Sequence, residues 1–311
     1  MSAVKNYLSL IKFSHTVFAL PFALIGFFLA LVSGTVDWVH NLNNTIGWGP
    51  KLTHPSFIEF YGTNILAKFI LILLCMVFAR SAAMAFNRYL DRSFDAQNPR
   101  TAIREIPAGI IRANSALLFT IIMSALFIIT TYFINTLCFA LSPVAMLVVL
   151  GYSFTKRFTP LCHLVLGLGL SLAPIGAFLA VTGKFELLPI LFSFTVLFWV
   201  SGFDIIYALQ DEEFDKKYDL KSIPAWLGKS KALRVSELLH VLSALCIITA
   251  GLIVNFGIWY WAGVIFFTGL LIYQHLLVKP NDLSKVNMAF FTTNGIASVV
   301  FAVFVIIDII L

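Results

Sequence analysis

No CxxC pair occurs in this chain of 311 residues, and its four cysteines (Cys75, Cys138, Cys162 and Cys246) stand singly, most of them in apolar segments. A zinc ribbon and a disulfide framework are therefore both excluded. The six histidines include no HExxH and no close pair. Walker loops, dinucleotide fingerprints and nucleophile–base pairs are missing as well. Charge is scarce: 12% of the residues are charged, against about 25% in an ordinary soluble domain. What fills the chain is apolar, with 60% hydrophobic residues and 31 phenylalanines. That composition defines an all-α polytopic membrane protein, read as a single domain over 1–311 embedded in a lipid bilayer.

Apolar runs long enough to span a bilayer, roughly 17–25 residues, fall at about 14–34, 65–87, 114–133, 136–153, 163–182, 187–209, 233–254, 257–278 and 289–310. Nine transmembrane helices are expected. Lys5 and Lys12 precede the first run without a convincing cleavage site, so it reads as a membrane helix and not as a signal peptide. Asn135, Gly183-Lys184 and Asn255-Phe256-Gly257 mark tight turns, whereas 88–113, 154–162, 210–232 and 279–288 form the opposite loops. The segment 35–62, with Trp38, Trp48 and Tyr61, reads as an interfacial loop with a short surface helix.

Basic residues sort these loops. Arg88, Arg92, Arg100, Arg104, Arg112, Lys156 and Arg157 belong to the second set, as do the lysines at 216, 217, 221, 229, 231, 279 and 285. The other side holds only Lys51, Lys68 and Lys184. The positive-inside rule then puts the N-terminus in the cytosol and, after nine spans, the C-terminus outside, most simply in a cytoplasmic membrane. The net charge of +6 is thereby a topology signal and not a nucleic-acid surface. Nothing in the sequence points to a protein partner.

Two acidic clusters close apolar runs on that cytosolic side. Asn87, Asp91 and Asp95 form the first; Asp211 and Asp215, preceded by Asp204, form the second. Residues four apart on a helix advance only ~40° around its axis, so each cluster lines one face. Carboxylate oxygens suit Mg²⁺, and two clusters converging on that ion point to a diphosphate substrate. The spacing of Arg80, Asn87, Asp91 and Asp95 recurs in Asp204, Asp211, Asp215 and Asp219 at an offset of 124 residues. Coincidence and an ancient duplication both account for that echo.

Arg80 lies two turns before Asn87 on the same face, inside an apolar run where an unpaired guanidinium costs ~2.5–3.5 kcal/mol on insertion scales. It serves either as a structural partner for an aspartate or as a fork for a ligand carboxylate. The loop Asn98-Pro99-Arg100 to Ala108-Gly109 offers Arg100 and Arg104 for phosphate oxygens, in a shaped and not a loose segment. Tyr152 and Lys156, four apart at a helix end, point into one cavity, although a snorkelling lysine is the common alternative. Metal ions and cations stabilising a leaving diphosphate, over an apolar cavity that excludes water, suit ionisation of an allylic diphosphate.

Taken together these residues resemble the UbiA superfamily of membrane prenyltransferases. The resemblance rests on Asn87-xxx-Asp91-xxx-Asp95, the Arg100-Thr101…Arg104…Pro107…Gly109 loop, Tyr152-xxx-Lys156-Arg157, and Asp204…Tyr207…Asp211-xxx-Asp215…Lys221-Ser222. It implies a helical bundle around a central cavity, under a cytosolic cap of two loops. By resemblance, Asn87, Asp91, Asp95, Asp211 and Asp215 would hold Mg²⁺, and Arg100, Arg104, Lys156 and Lys221 would contact the diphosphate. Asp91, Asp204, Asp211 and Tyr152 would stand at the reacting centre, with Arg80 at an acceptor carboxylate. Arg88 departs from the pattern, since many relatives carry an acidic residue there.

Tyr152 to Thr159 and Arg80 to Asn87 look most like 4-hydroxybenzoate polyprenyltransferases. The start Phe13-Ser14-His15-Thr16…Ala19-Leu20-Pro21-Phe22 and the same Arg80-to-Asn87 stretch also resemble a group acting on a dihydroxynaphthoate in menaquinone biosynthesis, and Arg80 does not separate the two acceptors. The implied reaction is Mg²⁺-dependent transfer of a polyprenyl group from its diphosphate to an aromatic carboxylate, for quinone biosynthesis. Haem, a chlorophyll precursor or a lipid glycerol would give Arg80 less to do. Outside this class, intramembrane acids also mark cation-coupled transporters, but here they sit at helix ends and not at a midplane.

Overall fold

The structure, a computed structural model, describes residues 3–11, 18–33 and 64–311. In chain order its helices are α1 (Ala3–Leu10), α2 (Leu20–Ser33), α3 (Asn64–Gln97), α4 (Ala113–Tyr132), α5 (Thr136–Thr155), α6 (Cys162–Thr182) and α7 (Leu187–Ala208). A 3-10 turn (Leu209–Asp211) leads into α8 (Glu212–Lys217), followed by α9 (Ile223–Leu227), α10 (Lys229–Val254) and α11 (Ile258–Leu277). A π-helical turn (Met288–Thr293) opens α12 (Asn294–Ile310).

Eight stretches among the described residues are long and apolar enough to cross a membrane, in agreement with the all-helical expectation. The ninth expected span falls on α2, whose 14 described residues reach only about 21 Å at 1.5 Å per residue. Its expected start at 14, the motif Phe13 to Thr16 and the loop 35–62 lie outside the described residues.

Local chemistry explains the helix ends. Between 64 and 97 the chain has neither Gly nor Pro, so α3 runs unbroken for 34 residues until Asn98-Pro99. The loop expected from 88 therefore begins ten residues later, and the first acidic cluster sits on helix. At the opposite end of the bundle Asn135 caps α5 by accepting the Cys138 N–H at 2.8 Å. Gly183 (φ 66°) and Asn255 (φ 55°) close α6 and α10 in the left-handed region, as tight turns require. The segment expected to be a loop at 210–232 folds further, because Ser222 caps α9 and α10 already begins at Lys229.

In lipid, helices are held by packing and internal polar bonds and less by apolar burial. Phe22, Phe178, Phe192, Trp199, Phe267 and Phe301 are fully buried between α2, α6, α7, α11 and α12. All but Phe178 meet ring to ring at 5.1–6.3 Å, as between Phe22 and Trp199 (5.4 Å) and Phe267 and Phe301 (5.1 Å), each pair contributing ~0.5–1.5 kcal/mol. Helix α2 lies so close to α6 that a Cβ on Gly26 would run into the Pro174 carbonyl. Asn294 is the polar rivet: it accepts from Trp199 Nε1 and Gln274 Nε2, both at 2.8 Å. Its amide donates to the carbonyls of Ala289 and Phe290 in the π turn. Leu147, Ile265 and Leu252 point outward, as a lipid-facing surface requires.

Candidate functional site

At the end of the bundle that carries the loops 98–112 and 209–228, a cavity of about 290 Å³ opens between α3, α5, α6, α7 and the π turn. Its deep part is apolar, with Leu166, Leu170, Val200 and Phe203, and Phe290 and Phe291 form one side. Tyr207 stacks on Phe290 at 4.2 Å between ring centres. The upper part is charged. Arg80, Asn87, Asp91, Asp95, Arg100, Arg104, Tyr152, Lys156, Asp204 and Asp211 all line it. Asp215 and Lys221 are not among the lining residues.

Each carboxylate of the two clusters is held by a cation. Arg104 Nη1 meets Asp95 Oδ1 at 2.6 Å, and Arg157 Nη2 meets Asp91 Oδ1 at 3.2 Å. Asn87 Nδ2 donates to the other Asp91 oxygen at 3.1 Å. Arg100 grips Asp211 with both arms of its fork, through Nε at 3.2 Å and through Nη2, and donates from Nη1 to the Tyr207 hydroxyl at 2.9 Å. Asn98 Nδ2 also reaches Asp211, at 3.3 Å. The first loop is thus tied to the second across the mouth, which forms the expected cap. Burial alone would push the Arg100 guanidinium down, but Asp211 and Tyr207 outweigh it and hold the group above its ordinary value.

Lys156, just past α5, reaches Asp215 Oδ1 at 2.7 Å. Burial opposes its charge, and Asp215, helped by Asp211 and Asp91, more than restores it. Asp215 itself is fully buried, and its second oxygen accepts from Ser222 Oγ at 2.7 Å. Lys221 pairs instead with the exposed Asp219, whose φ is 53°.

A deeper layer lies below this ring. Arg80 and Asp204 each precede a cluster by seven residues, about 10 Å along a helix. The buried Nε of Arg80 has no hydrogen-bond partner among the described residues. Arg80, Asp91 and Asp204 lie within electrostatic reach of the Tyr152 hydroxyl. Asp204 is held by His163, whose Nδ1 stands 2.7 Å from its Oδ2. Sequence reasoning passed over His163, because 41 residues separate it from Asp204 and no spacing rule connects them. It also missed Arg157 as the partner of Asp91, and the buried Arg88, which lines the cavity.

The donors around the mouth are carboxylate and amide oxygens from two helices, the hard set that Mg²⁺ takes. Among the described residues no three acidic, His or Cys side chains converge on one point, since each carboxylate is turned to a cation. In kind the donors fit a divalent ion.

Fold and site define a polytopic helical membrane protein with a charged mouth over an apolar cavity. The UbiA prenyltransferase family matches residues 19–296, and the chain belongs to that family. The apo structure of a UbiA homologue from Aeropyrum pernix K1 superposes with a TM-score of 0.73 at 27% identity, over 95% of this chain and 97% of that one. A UbiA homologue from Archaeoglobus fulgidus bound to GPP and Mg²⁺ shares the fold, with a TM-score of 0.66 at 20% identity over 98% of this chain and all of that one. Among curated relatives, the 4-hydroxybenzoate octaprenyltransferase of Tolumonas auensis is 34% identical over 159 residues, 51% of this chain and 56% of that protein. The chain thus spans little more than half the length of the curated relatives it matches.

Proposed function

We propose that this protein transfers a polyprenyl group from an allylic diphosphate to the ring of an aromatic carboxylate, with 4-hydroxybenzoate as the first candidate acceptor. The observation that carries this reading is the layering of one cavity. Carboxylates and cations from two helices and two loops ring the mouth, a guanidinium (Arg80) whose Nε has no hydrogen-bond partner among the described residues and a carboxylate (Asp204) lie below, and the remainder is apolar. Family membership and the relative from Tolumonas auensis support the same class.

Asn87, Asp91, Asp95 and Asp211 would hold Mg²⁺, with Asp215 behind them. When bound, the ion neutralises charge on the departing diphosphate. Arg100, Arg104 and Lys156 bind and orient the diphosphate, and Lys221 stands at the rim of the same cap. The ion pairs of the mouth keep these residues neutralised beforehand: a diphosphate would engage the cations, and the carboxylates so released would be those that hold the ion. No charge is then left buried and alone, the situation that costs most in low dielectric. As the C–O bond breaks, its electron pair leaves with the diphosphate. The allylic cation adds to the ring carbon beside the hydroxyl, and loss of the ring proton restores aromaticity. Val200 and Phe203, both buried, keep water from that cation. Arg80 receives the acceptor carboxylate. The charged mouth faces the cytosol of a cytoplasmic membrane, with the N-terminus inside and the C-terminus outside.

The test uses purified protein in lipid with Mg²⁺ and a long-chain prenyl diphosphate. 4-Hydroxybenzoate and 1,4-dihydroxy-6-naphthoate are offered in parallel, and the products are read by mass spectrometry. A prenylated 4-hydroxybenzoate is expected. Product from the naphthoate alone would move the protein to a menaquinone-type route, and no product from either would overturn the acceptor class. Uptake of a cation-coupled solute into proteoliposomes without diphosphate would favour transport instead.

A further inference from the structure

We propose that Asp204 is the site for the acceptor's ring hydroxyl, and that His163 is the positioning residue that holds Asp204 to this task. The inference rests on the prenyl-transfer reading and assigns a second contact to the same acceptor.

His163 sits in the first turn of α6 with only 3% of its surface exposed. Its Nε2 accepts the backbone N–H of Ile223, at the start of α9, at 3.4 Å. A backbone N–H can only donate, so Nε2 carries no proton and the proton of the neutral ring is on Nδ1. That nitrogen lies 2.7 Å from Asp204 Oδ2 and donates to it. The two helices also touch beside the ring: Ser201 Oγ of α7, whose proton goes to the Leu197 carbonyl at 2.6 Å, lies 3.1 Å from the His163 carbonyl. One imidazole therefore joins α6, α7 and the second cap segment.

Asp204 lines the cavity with its side chain 22% exposed. His163 occupies one of its oxygens, and the other remains for a ligand. Asp204 and Arg80 are opposite charges in the same deep layer, yet Asp204 pairs with His163 and the Arg80 Nε has no hydrogen-bond partner among the described residues. Left to Coulomb attraction, two such groups in low dielectric would close on each other. A fixed donor on Asp204 keeps them apart, so that a cation and an acceptor oxygen are both open to one ligand. An aromatic ring with a carboxylate at one end and a hydroxyl at the other satisfies both. A hydroxyl that donates to a carboxylate also enriches the neighbouring ring carbon in electrons, where the allylic cation adds.

The experiment compares the KM of the hydroxylated acceptor with the inhibition constant of its O-methyl ether, which keeps the carboxylate but has no proton to donate. Wild-type protein should favour the hydroxyl form by about tenfold or more, as a hydrogen bond to a charged group predicts. In His163→Ala that preference should fall toward one. His163→Asn, whose amide can donate from the position of Nδ1, should recover part of it. Asp204→Asn, which cannot accept with full charge, should lose it too, and serves as the reading if His163→Ala does not fold. A merely structural His163 would weaken both compounds equally, and that outcome, or an unchanged preference in His163→Ala and Asp204→Asn, would overturn the proposal. Wild-type protein that makes product but shows no preference refutes this inference alone. Wild-type protein that makes no product from any aromatic carboxylate refutes the prenyl-transfer reading beneath it.

Discussion

The acidic cluster on α3 and the one that follows α7 have the same spacing, yet they present their side chains differently. On α3 the helix continues from Asn64 to Gln97, so Arg80, Asn87, Asp91 and Asp95 stay on the face that lines the cavity. After Asp204 the chain tightens into the 3-10 turn Leu209–Asp211. Three residues at 120° instead of 100° rotate the next side chains by roughly 60° about the axis. Asp211 remains at the mouth, Asp215 turns inward to Lys156 and Ser222, and Asp219 emerges into solvent beside Lys221. Equal spacing makes equal sites only where the helix between the residues is equal.

That contrast can be broken experimentally. The largest effect is expected at the two aspartates that share the mouth. Asp91→Ala or Asp211→Ala should lower turnover by about 10²–10³-fold in correctly inserted protein, the loss typical of one electrostatic contact to a transition state. Retained turnover in either variant would remove it from the metal site. Chelation with EDTA should abolish product in wild-type protein, and added Mg²⁺ should restore it.

Asp215→Ala should act on stability. It strands Lys156 and frees Ser222, and since Lys156 is a third exposed the loss is about 2–3 kcal/mol and not the full cost of a buried pair. Thermal unfolding in detergent reads this, and Asp211→Ala should lose less, because its partner Arg100 is also a third exposed and keeps its bond to the Tyr207 hydroxyl. If the two variants melt alike, the second cluster is not split as described.

Arg80→Ala, on the continuous helix, should raise the acceptor KM about tenfold and leave the KM for prenyl diphosphate unchanged. An unaltered acceptor KM would return Arg80 to a structural role. The smallest effect belongs to Asp219→Ala, whose partner and side chain are both solvated: stability should change by less than about 0.5 kcal/mol, with turnover at the wild-type level. A marked loss of turnover there would bring Asp219 and Lys221 back into the site.

Much of this was legible before any coordinates. The length of the apolar runs placed most span boundaries among the described residues to within a few residues, because in lipid the backbone must satisfy itself inside helices. The turns at Asn135, Gly183 and Asn255 followed from residue types that cap helices or tolerate positive φ. Arg80, Asp91 and Asp211, which line the cavity, stood out in the sequence because charge in or beside apolar sequence is costly and conspicuous. The end of α3 was misjudged by ten residues, since Arg88 to Gln97 is polar enough to pass for a loop but contains nothing that stops a helix.

The sequence by itself determined the helical membrane architecture, the charged end of the bundle and most of the charged side chains that line its cavity. Those properties depend on local composition and on the burial of backbone polar groups. Only the tertiary structure decided which carboxylate faces the cavity and which is spent on the cap, because a rotation of roughly 60° in one turn lies below the resolution of residue spacing. It also decided that His163 meets Asp204 across 41 residues, since partners on different helices are chosen by packing and not by distance along the chain.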